Sequence, residues 1–170
     1  LARTGQGQIS FSLFEGPTYD YGLLIICDGA NKPYYFRMEG TGANINTRTY
    51  FSGEITITGT KFATHSEIHD KHLVVAGIED NLSTVFYSTL LDPITFNGTG
   101  SGSITLSDQI VGIKSFRQEL FIFCKNSIFK LQDINGTPIV VPVAKNIGCL
   151  SGYSIQEIGE IGRASCRERV

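Results

Sequence analysis

The sequence predicts an all-β protein, in the form of a partial β-propeller made of about three short-stranded antiparallel blades. Apolar runs rich in β-branched and aromatic residues alternate with short turn clusters, a pattern that favours β-hairpins. These hairpins recur, with their first leucines at Leu23, Leu73 and Leu120, 50 and 47 residues apart. Propeller blades repeat at about 40–50 residues, and no amphipathic helical pattern interrupts the series.

The first repeat is predicted to contain a strand around residues 9–14, which ends at the turn Glu15-Gly16-Pro17. Residues 23–36 then form a hairpin whose polar turn is Asp28-Gly29-Ala30-Asn31. Alternating polar and apolar residues predict one more strand at residues 54–58.

In the second repeat, residues 62–72 are predicted to be a polar loop that leads into a hairpin at residues 73–88. This hairpin turns at Asp80-Asn81. The glycine-rich residues 97–103 are predicted to be a flexible loop within the domain, because strand-like residues 104–106 follow at once.

The third repeat contains the hairpin on which the prediction depends most, ELFIFCKNSIFKL at residues 119–131. It turns at Lys125-Asn126, where Asn tolerates the left-handed conformation of a tight turn. Its first arm is apolar on both faces, which predicts a strand buried between two layers. Flanking strands are predicted at residues 110–113 and 139–143. Five apolar side chains are expected to be buried: Leu73, Val75, Phe121, Phe123 and Ile128.

Composition limits the function classes. The chain has 170 residues and a net charge of −2, so it lacks the basic surface typical of nucleic-acid binding. No apolar run approaches the ~20 residues that span a bilayer, so no membrane partner is expected. Cys27 and Cys124 end apolar arms at what look like equivalent repeat positions, and Cys149 lies in a glycine-rich stretch. We expect them to be buried reduced thiols rather than a disulfide framework.

The polar stretch HSEIHDKH is the strongest candidate for a metal site. His65, His69 and His72 lie beside Glu67 and Asp70, and these are residue types that bind zinc. The HExxH pattern of helical zinc sites is absent, and the stretch leads into a strand. It is therefore expected to be a solvated loop that binds no metal.

Two further motifs are weak. Residues 28–31 resemble the start of a calcium loop but lack the later acidic ligands, and Gly98–Gly102 lacks the Lys-Ser/Thr and helix of a phosphate loop. The sequence therefore predicts no catalytic, cofactor-binding or metal-binding residues, and no cofactor. The protein is expected not to be an enzyme, although fold alone leaves a carbohydrate-cleaving propeller open.

The last eleven residues differ in character. Residues 160–170, EIGRASCRERV, contain three arginines and two glutamates. The segment resembles the translation of a common sequencing adapter over its whole length. We therefore expect an incomplete propeller domain at residues 1–159, from an environmental gene fragment, followed by a non-native tail at residues 160–170. The alternative is a genuine basic tail.

A family resemblance lies in the order of short motifs over residues 18–159. HDKHLVVAGIEDNLSTVFYSTLLDPITF, ITLSDQIVGIKSFRQELFIFCKNSIFKL and VPVAKNIGCLSGYSIQEIG follow one another. In this order they resemble virion structural proteins of tailed bacteriophages, in particular the propeller-containing tail tubular, or nozzle, proteins of short-tailed phages. The chain departs from the pattern of this family in having no Trp and in having Phe129 as the aromatic after the Ser-Ile pair. WD40 and sialidase-type propellers are disfavoured, because their blade signatures include Trp.

The resemblance implies a non-enzymatic component of a phage tail or neck, made in the host cytoplasm and located in the virion. It implies other tail or neck proteins as partners, a homo-oligomeric ring, and double-stranded DNA passing through without sequence readout. The alternative function is a carbohydrate-binding or carbohydrate-cleaving β-propeller, and a third is a cellular propeller scaffold.

Overall fold

The computed structural model describes residues 9–39, 49–57, 62–134, 137–158, 161–163 and 166–168. These residues form β-strands, one 3-10 helix at Gly152–Ser154 and no α-helix, which confirms the all-β prediction. The strands are β1 Ser10–Gly16, β2 Tyr19–Cys27, β3 Tyr34–Glu39, β4 Thr49–Glu54, β5 His65–His69, β6 His72–Ala76, β7 Thr84–Tyr87, β8 Gly102–Thr105, β9 Ile110–Phe116, β10 Glu119–Cys124, β11 Ser127–Ile134, β12 Thr137–Lys145, β13 Ile147–Cys149, β14 Gln156–Ile158, β15 Ile161–Arg163 and β16 Cys166–Glu168.

Twelve of these strands build three four-stranded antiparallel sheets, each from four consecutive strands. The first sheet contains β1 to β4, the second β5 to β8 and the third β9 to β12. The remaining strands form two short pairs, β13 with β16 and β14 with β15. β15 and β16 lie within residues 160–170, the segment that resembles a sequencing adapter; its origin stays a prediction.

The three predicted hairpin turns each join the second and third strands of a sheet. In the first sheet, Asp28 Oδ1 accepts the backbone N–H groups of Ala30 and Asn31 at 2.9 and 2.8 Å. In the second, Asn81 donates its N–H to the Ile78 carbonyl at 2.8 Å. All three turn positions are thus confirmed, including the one at Lys125-Asn126.

The Lys125-Asn126 turn is held by a carboxylate from the preceding loop. Asp108 Oδ2 accepts the N–H of Asn126 at 2.7 Å and the hydroxyl of Ser127 at 2.8 Å. Its Oδ1 accepts the Gln109 N–H at 2.8 Å and the Asn126 side-chain amide at 3.2 Å. Burial raises the pKa of Asp108, but these hydrogen bonds together outweigh it and lower the pKa below its ordinary value.

Left-handed turn residues lie elsewhere than predicted. Asn126 is not among the residues with positive φ, so the prediction of a left-handed Asn126 is wrong. Consecutive non-glycine residues with positive φ occur between the first and second strands of two sheets, at Asp70 and Lys71 (46° and 64°) and at Arg117 and Gln118 (50° and 63°), whereas Leu91 and Asn146 have isolated positive φ values. Two consecutive left-handed residues match the twist of tight hairpins, whereas Asp108 stabilises the other turn from outside.

The second sheet lies in the middle of the stack, and its strand β6 is buried on both faces. Leu73 and Val75 pack into a core with the first sheet. Val74 and Ala76 pack into a separate core with the third sheet. Side chains of a strand alternate between its faces, so four consecutive residues of β6 supply both cores.

The prediction of burial holds for Leu73 and Val75 but is wrong for Phe121, Phe123 and Ile128, which are half-buried. Because β10 alternates, Leu120, Ile122 and Cys124 face the second sheet instead. The strand enclosed between two sheets is therefore β6, not β10. The outer face of the third sheet is covered only in part, by β13 and by the 3-10 helix, which contacts β9.

The repeat is one residue out of phase in the first sheet. Leu23, Ile25 and Cys27 face forward to the second sheet, whereas Leu73 and Leu120 each face back to the preceding sheet. The structural equivalent of Leu73 and Leu120 is therefore Leu24. By the same shift, Cys27 and Cys124 do not occupy equivalent positions, contrary to the prediction.

Three predicted boundaries are wrong. The strand expected at residues 54–58 ends at Glu54, and Ile55 and Ile57 are core residues beyond it. The predicted loop at residues 62–72 contains the whole of β5. The predicted loop at residues 97–103 gives way to β8 at Gly102.

The three sheets converge at one edge. First strands of neighbouring sheets contact one another, β1 with β5 and β5 with β9. No comparable contact joins the fourth strands β4, β8 and β12 in the described part of the chain. Among those same residues no helix has the length and apolar character needed to cross a membrane.

We predict that truncation of Ile122 is more destabilising than the same truncation of Ile128. Ile122 is fully buried between sheets, so Ile122→Ala is expected to cost about 2–5 kcal/mol. Ile128→Ala removes the same atoms from a half-buried site and is expected to cost about half as much. Urea unfolding of both variants measures this, and an equal or larger loss for Ile128→Ala would contradict the assignment of the two faces.

We predict that Asp108→Asn destabilises the protein by about 1–2 kcal/mol at neutral pH, because one acceptor oxygen becomes a donor at a partly solvated site. Since the pKa of Asp108 is lowered on folding, the difference between wild type and variant is full above the unfolded pKa of about 4 and shrinks below it. Urea unfolding at pH 7 and pH 3 tests this. Asp92→Asn is the control, because Asp92 Oδ1 accepts the Ile94 N–H at 3.2 Å and an amide oxygen can do the same.

Candidate functional site

The histidine stretch is a hairpin rather than a solvated loop. β5 and β6 pair from His65 opposite Ala76 to His69 opposite His72, with Asp70-Lys71 as the turn. His65 and His69 are buried, which corrects the prediction that the stretch is exposed to solvent. The stretch is polar in sequence, yet it forms a strand, and some of its side chains lie between sheets.

His65 is separated from the other two histidines. The four residue steps of extended strand from His65 to His69 span about 13 Å, too far for one metal ion. Burial lowers the pKa of His65 to about 4. Its ring is therefore neutral at pH 7.

His69 and His72 face each other across the hairpin, and each ring has a structural partner. His69 Nε2 lies 3.2 Å from Asp70 Oδ2. Burial lowers the pKa of His69, and the Asp70 carboxylate opposes that change. His72 Nδ1 lies 2.6 Å from the Ser88 carbonyl oxygen, so this nitrogen carries the proton and donates it. The ring of His72 also meets Tyr87 edge to face at 5.9 Å.

A polar cleft of about 310 Å³ opens beside His69, between turns of the second and third sheets. Glu119, at its rim, forms an ion pair with Lys130 Nζ at 2.6 Å. The cleft combines amide and carboxylate groups, which suit hydroxyl or ammonium ligands. Its lining residues are His69, Asp70, Gln118, Glu119, Leu131, Gln132 and Asp133.

A second cleft, of about 210 Å³, lies where the first strands converge. Ser66 receives a hydrogen bond from the Ser12 hydroxyl at 2.8 Å and lies 3.0 Å from the Ser10 hydroxyl. Lys114 Nζ pairs with Glu67 at 3.2 Å, which ties β9 to β5. This cluster was not predicted from the sequence. Its one signal is the alternating Ser10-x-Ser12, which does not reveal a partner more than 50 residues away.

Cys27 and Cys124 are not activated nucleophiles. Cys27, Cys124 and Cys149 are free and buried, as predicted. Burial raises the pKa of Cys27 to about 12, against the opposing effect of hydrogen bonds from Ser66 and Ser10. Burial likewise raises the pKa of Cys124 to about 12. At neutral pH both thiols stay protonated, which makes them small apolar groups.

The two weak motifs are part of ordinary connections. The Asp28 carboxylate accepts hydrogen bonds from its own turn, including one from the Asn31 side chain at 2.8 Å. Residues 98–102 lead directly into β8, without the helix that a phosphate loop requires. Among the described residues, no group of three or more His, Cys, Asp or Glu side chains is arranged to hold a metal ion.

Comparison with known protein families matches no family model. Comparison with curated proteins likewise finds no similar sequence. The structural features that bear on function are the arrangement of the sheets and the two clefts.

We predict that the protein binds no stoichiometric zinc, because His65 is remote from the pair His69 and His72, whose rings already have partners. Elemental analysis of purified protein is expected to give far less than one zinc per chain, both for wild type and for His69→Ala. One zinc per chain that disappears in His69→Ala would overturn this assignment.

Proposed function

We propose that the chain is part of a β-propeller and a structural component of a phage tail or neck. The observation that carries the proposal is the arrangement of three consecutive four-stranded sheets, stacked face to face. Their first strands contact one another, and no comparable contact joins the fourth strands in the described residues. Blades of a propeller radiate from a central axis in this way, and the spacing of the repeats fits the same architecture.

A non-enzymatic role is supported by the contacts of the reactive side chains. Lys114 is paired with Glu67, and Lys130 with Glu119. Cys27 and Cys124 have high pKa values that disfavour thiolate chemistry. The two ion pairs link strands and sheets, so these side chains stabilise the fold.

The assignment to a virion rests in addition on the ordered motifs of residues 18–159, which resemble those of short-tailed phage nozzle proteins. On this proposal, copies of the chain assemble into a ring with other tail or neck proteins and conduct double-stranded DNA without reading its sequence. A net charge of −2 is consistent with transit, because tight DNA binding requires clustered basic side chains. The protein is then made in the host cytoplasm and resides in the virion, without a membrane partner.

The second candidate is a carbohydrate-binding or carbohydrate-cleaving propeller. The polar cleft beside His69 favours it, because Gln118, Gln132 and Glu119 offer the amide and carboxylate groups that bind sugar hydroxyls. The Glu119–Lys130 ion pair occupies one of these carboxylates. The structural proposal therefore stands first.

Sequencing of the genome around the coding region tests the proposal against the alternative. We expect neighbouring genes for a portal, capsid or tail fibre, because virion structural genes lie together. A glycan array probed with the purified protein provides the second measurement and should show no specific signal. Genes for sugar utilisation together with one specific glycan signal, abolished in Gln118→Ala, would favour the carbohydrate function.

A further inference from the structure

The outward face of the first sheet is apolar and exposed. Leu13 pairs with Leu24, and Leu24 pairs with Phe36, so these three form a row across the sheet. Phe11 lies opposite Ile26 beside that row. Phe11 is 64% exposed, and Leu13 and Phe36 are 56% and 47% exposed. We call this surface, Phe11, Leu13, Leu24, Ile26 and Phe36, the open face.

The open face has the pattern of an interface already present in the molecule. Leu73-x-Val75 packs on the sheet before it, and Leu120-x-Ile122 does the same. Leu24-x-Ile26 lies on the corresponding side of the first sheet, which has no preceding sheet in the described structure. Continuity of the stack therefore indicates that another β-sheet layer covers the open face.

The opposite end of the stack also exposes apolar side chains. Four apolar side chains on and beyond β12 are exposed at the third sheet: Val143, Ile147, Leu150 and Tyr153. We call these residues the far end. Exposed Lys125 and Lys145 lie near the far end, whereas exposed Glu15 and Glu54 belong to the first sheet. Glu54 is already paired with Lys32 Nζ at 3.5 Å, so the property that the two ends share is their apolar surface.

The open face supplies about half of the area that a standard interface buries on each partner. A sheet of four strands with about six residues each covers roughly 20 by 19 Å. The flat footprint is therefore about 400 Å². Its solvent-accessible surface area is larger than this, because side chains protrude from the sheet. Standard interfaces bury ~800 Å² per partner.

We propose that copies of this chain bind head to tail, with the open face of one copy against the far end of the next. Such a heterologous contact closes into a ring when successive rotations complete a circle. The inference rests on the ring assembly proposed above and assigns the surfaces that form it.

Three charge substitutions at exposed positions test the contact. Phe36→Glu blocks the open face, Leu150→Glu blocks the far end, and Leu90→Glu is the matched control at an exposed leucine outside both surfaces. Sedimentation velocity is measured over a wide range of protein concentration. Circular dichroism establishes that each variant remains folded.

Wild type and Leu90→Glu are expected to self-associate. Phe36→Glu and Leu150→Glu are each expected to lose at least about tenfold in self-affinity, because a charge enters an apolar contact. An equal mixture of these two variants should form a heterodimer and nothing larger, because each retains the surface that the other lacks.

Three outcomes would overturn the inference, and they differ in what else they remove. A monomeric wild type removes the ring proposal as well. Wild-type association that neither Phe36→Glu nor Leu150→Glu weakens removes only these surfaces. Loss in Phe36→Glu alone, without a heterodimer on mixing, indicates that two open faces pair with each other instead.

Discussion

The double burial of β6 is the constraint on which the whole stack depends. Leu73 and Val75 complete one core, and Val74 and Ala76 complete the other. A shift of one residue would exchange the side chains of both cores, so the register of this strand is strongly specified. The strand is followed by Gly77, whose φ is 70° and where a Cβ atom would collide with the side chain of Thr64. Backbone geometry and packing therefore fix the middle sheet together.

Hairpins with strong local signals could be predicted from sequence. The side of the sheet on which each of their side chains lies could not. Asp28-Gly29 and Lys125-Asn126 interrupt apolar runs, and such breaks have a local physical cause. Leu23 and Leu24 are both apolar, so alternation alone does not reveal which one faces the second sheet. The same ambiguity led to burial being assigned to Phe121 rather than to Ile122. Only the position of the neighbouring sheet resolves it.

The polar sites were less predictable, because they form between distant parts of the chain. β5 was missed since its histidines, serine and glutamate resemble a loop, yet they serve as contacts between sheets. Ser66 bonds to serines that precede it by more than 50 residues. The cleft beside His69 likewise joins turns of two sheets. Sequence shows that such residues are polar, but tertiary packing decides which of them meet.

The consecutive order of strands in each sheet has a consequence for synthesis. Each sheet forms from neighbouring segments, so loop closure costs little entropy and a sheet can form soon after its strands leave the ribosome. The second sheet then has one complete core with the first sheet, while Val74, Ala76 and Val85 await the third. Until residues 110–131 leave the ribosome, the incomplete chain exposes this apolar surface to solvent. The nascent chain is therefore most vulnerable to aggregation in the interval between its second and third sheets.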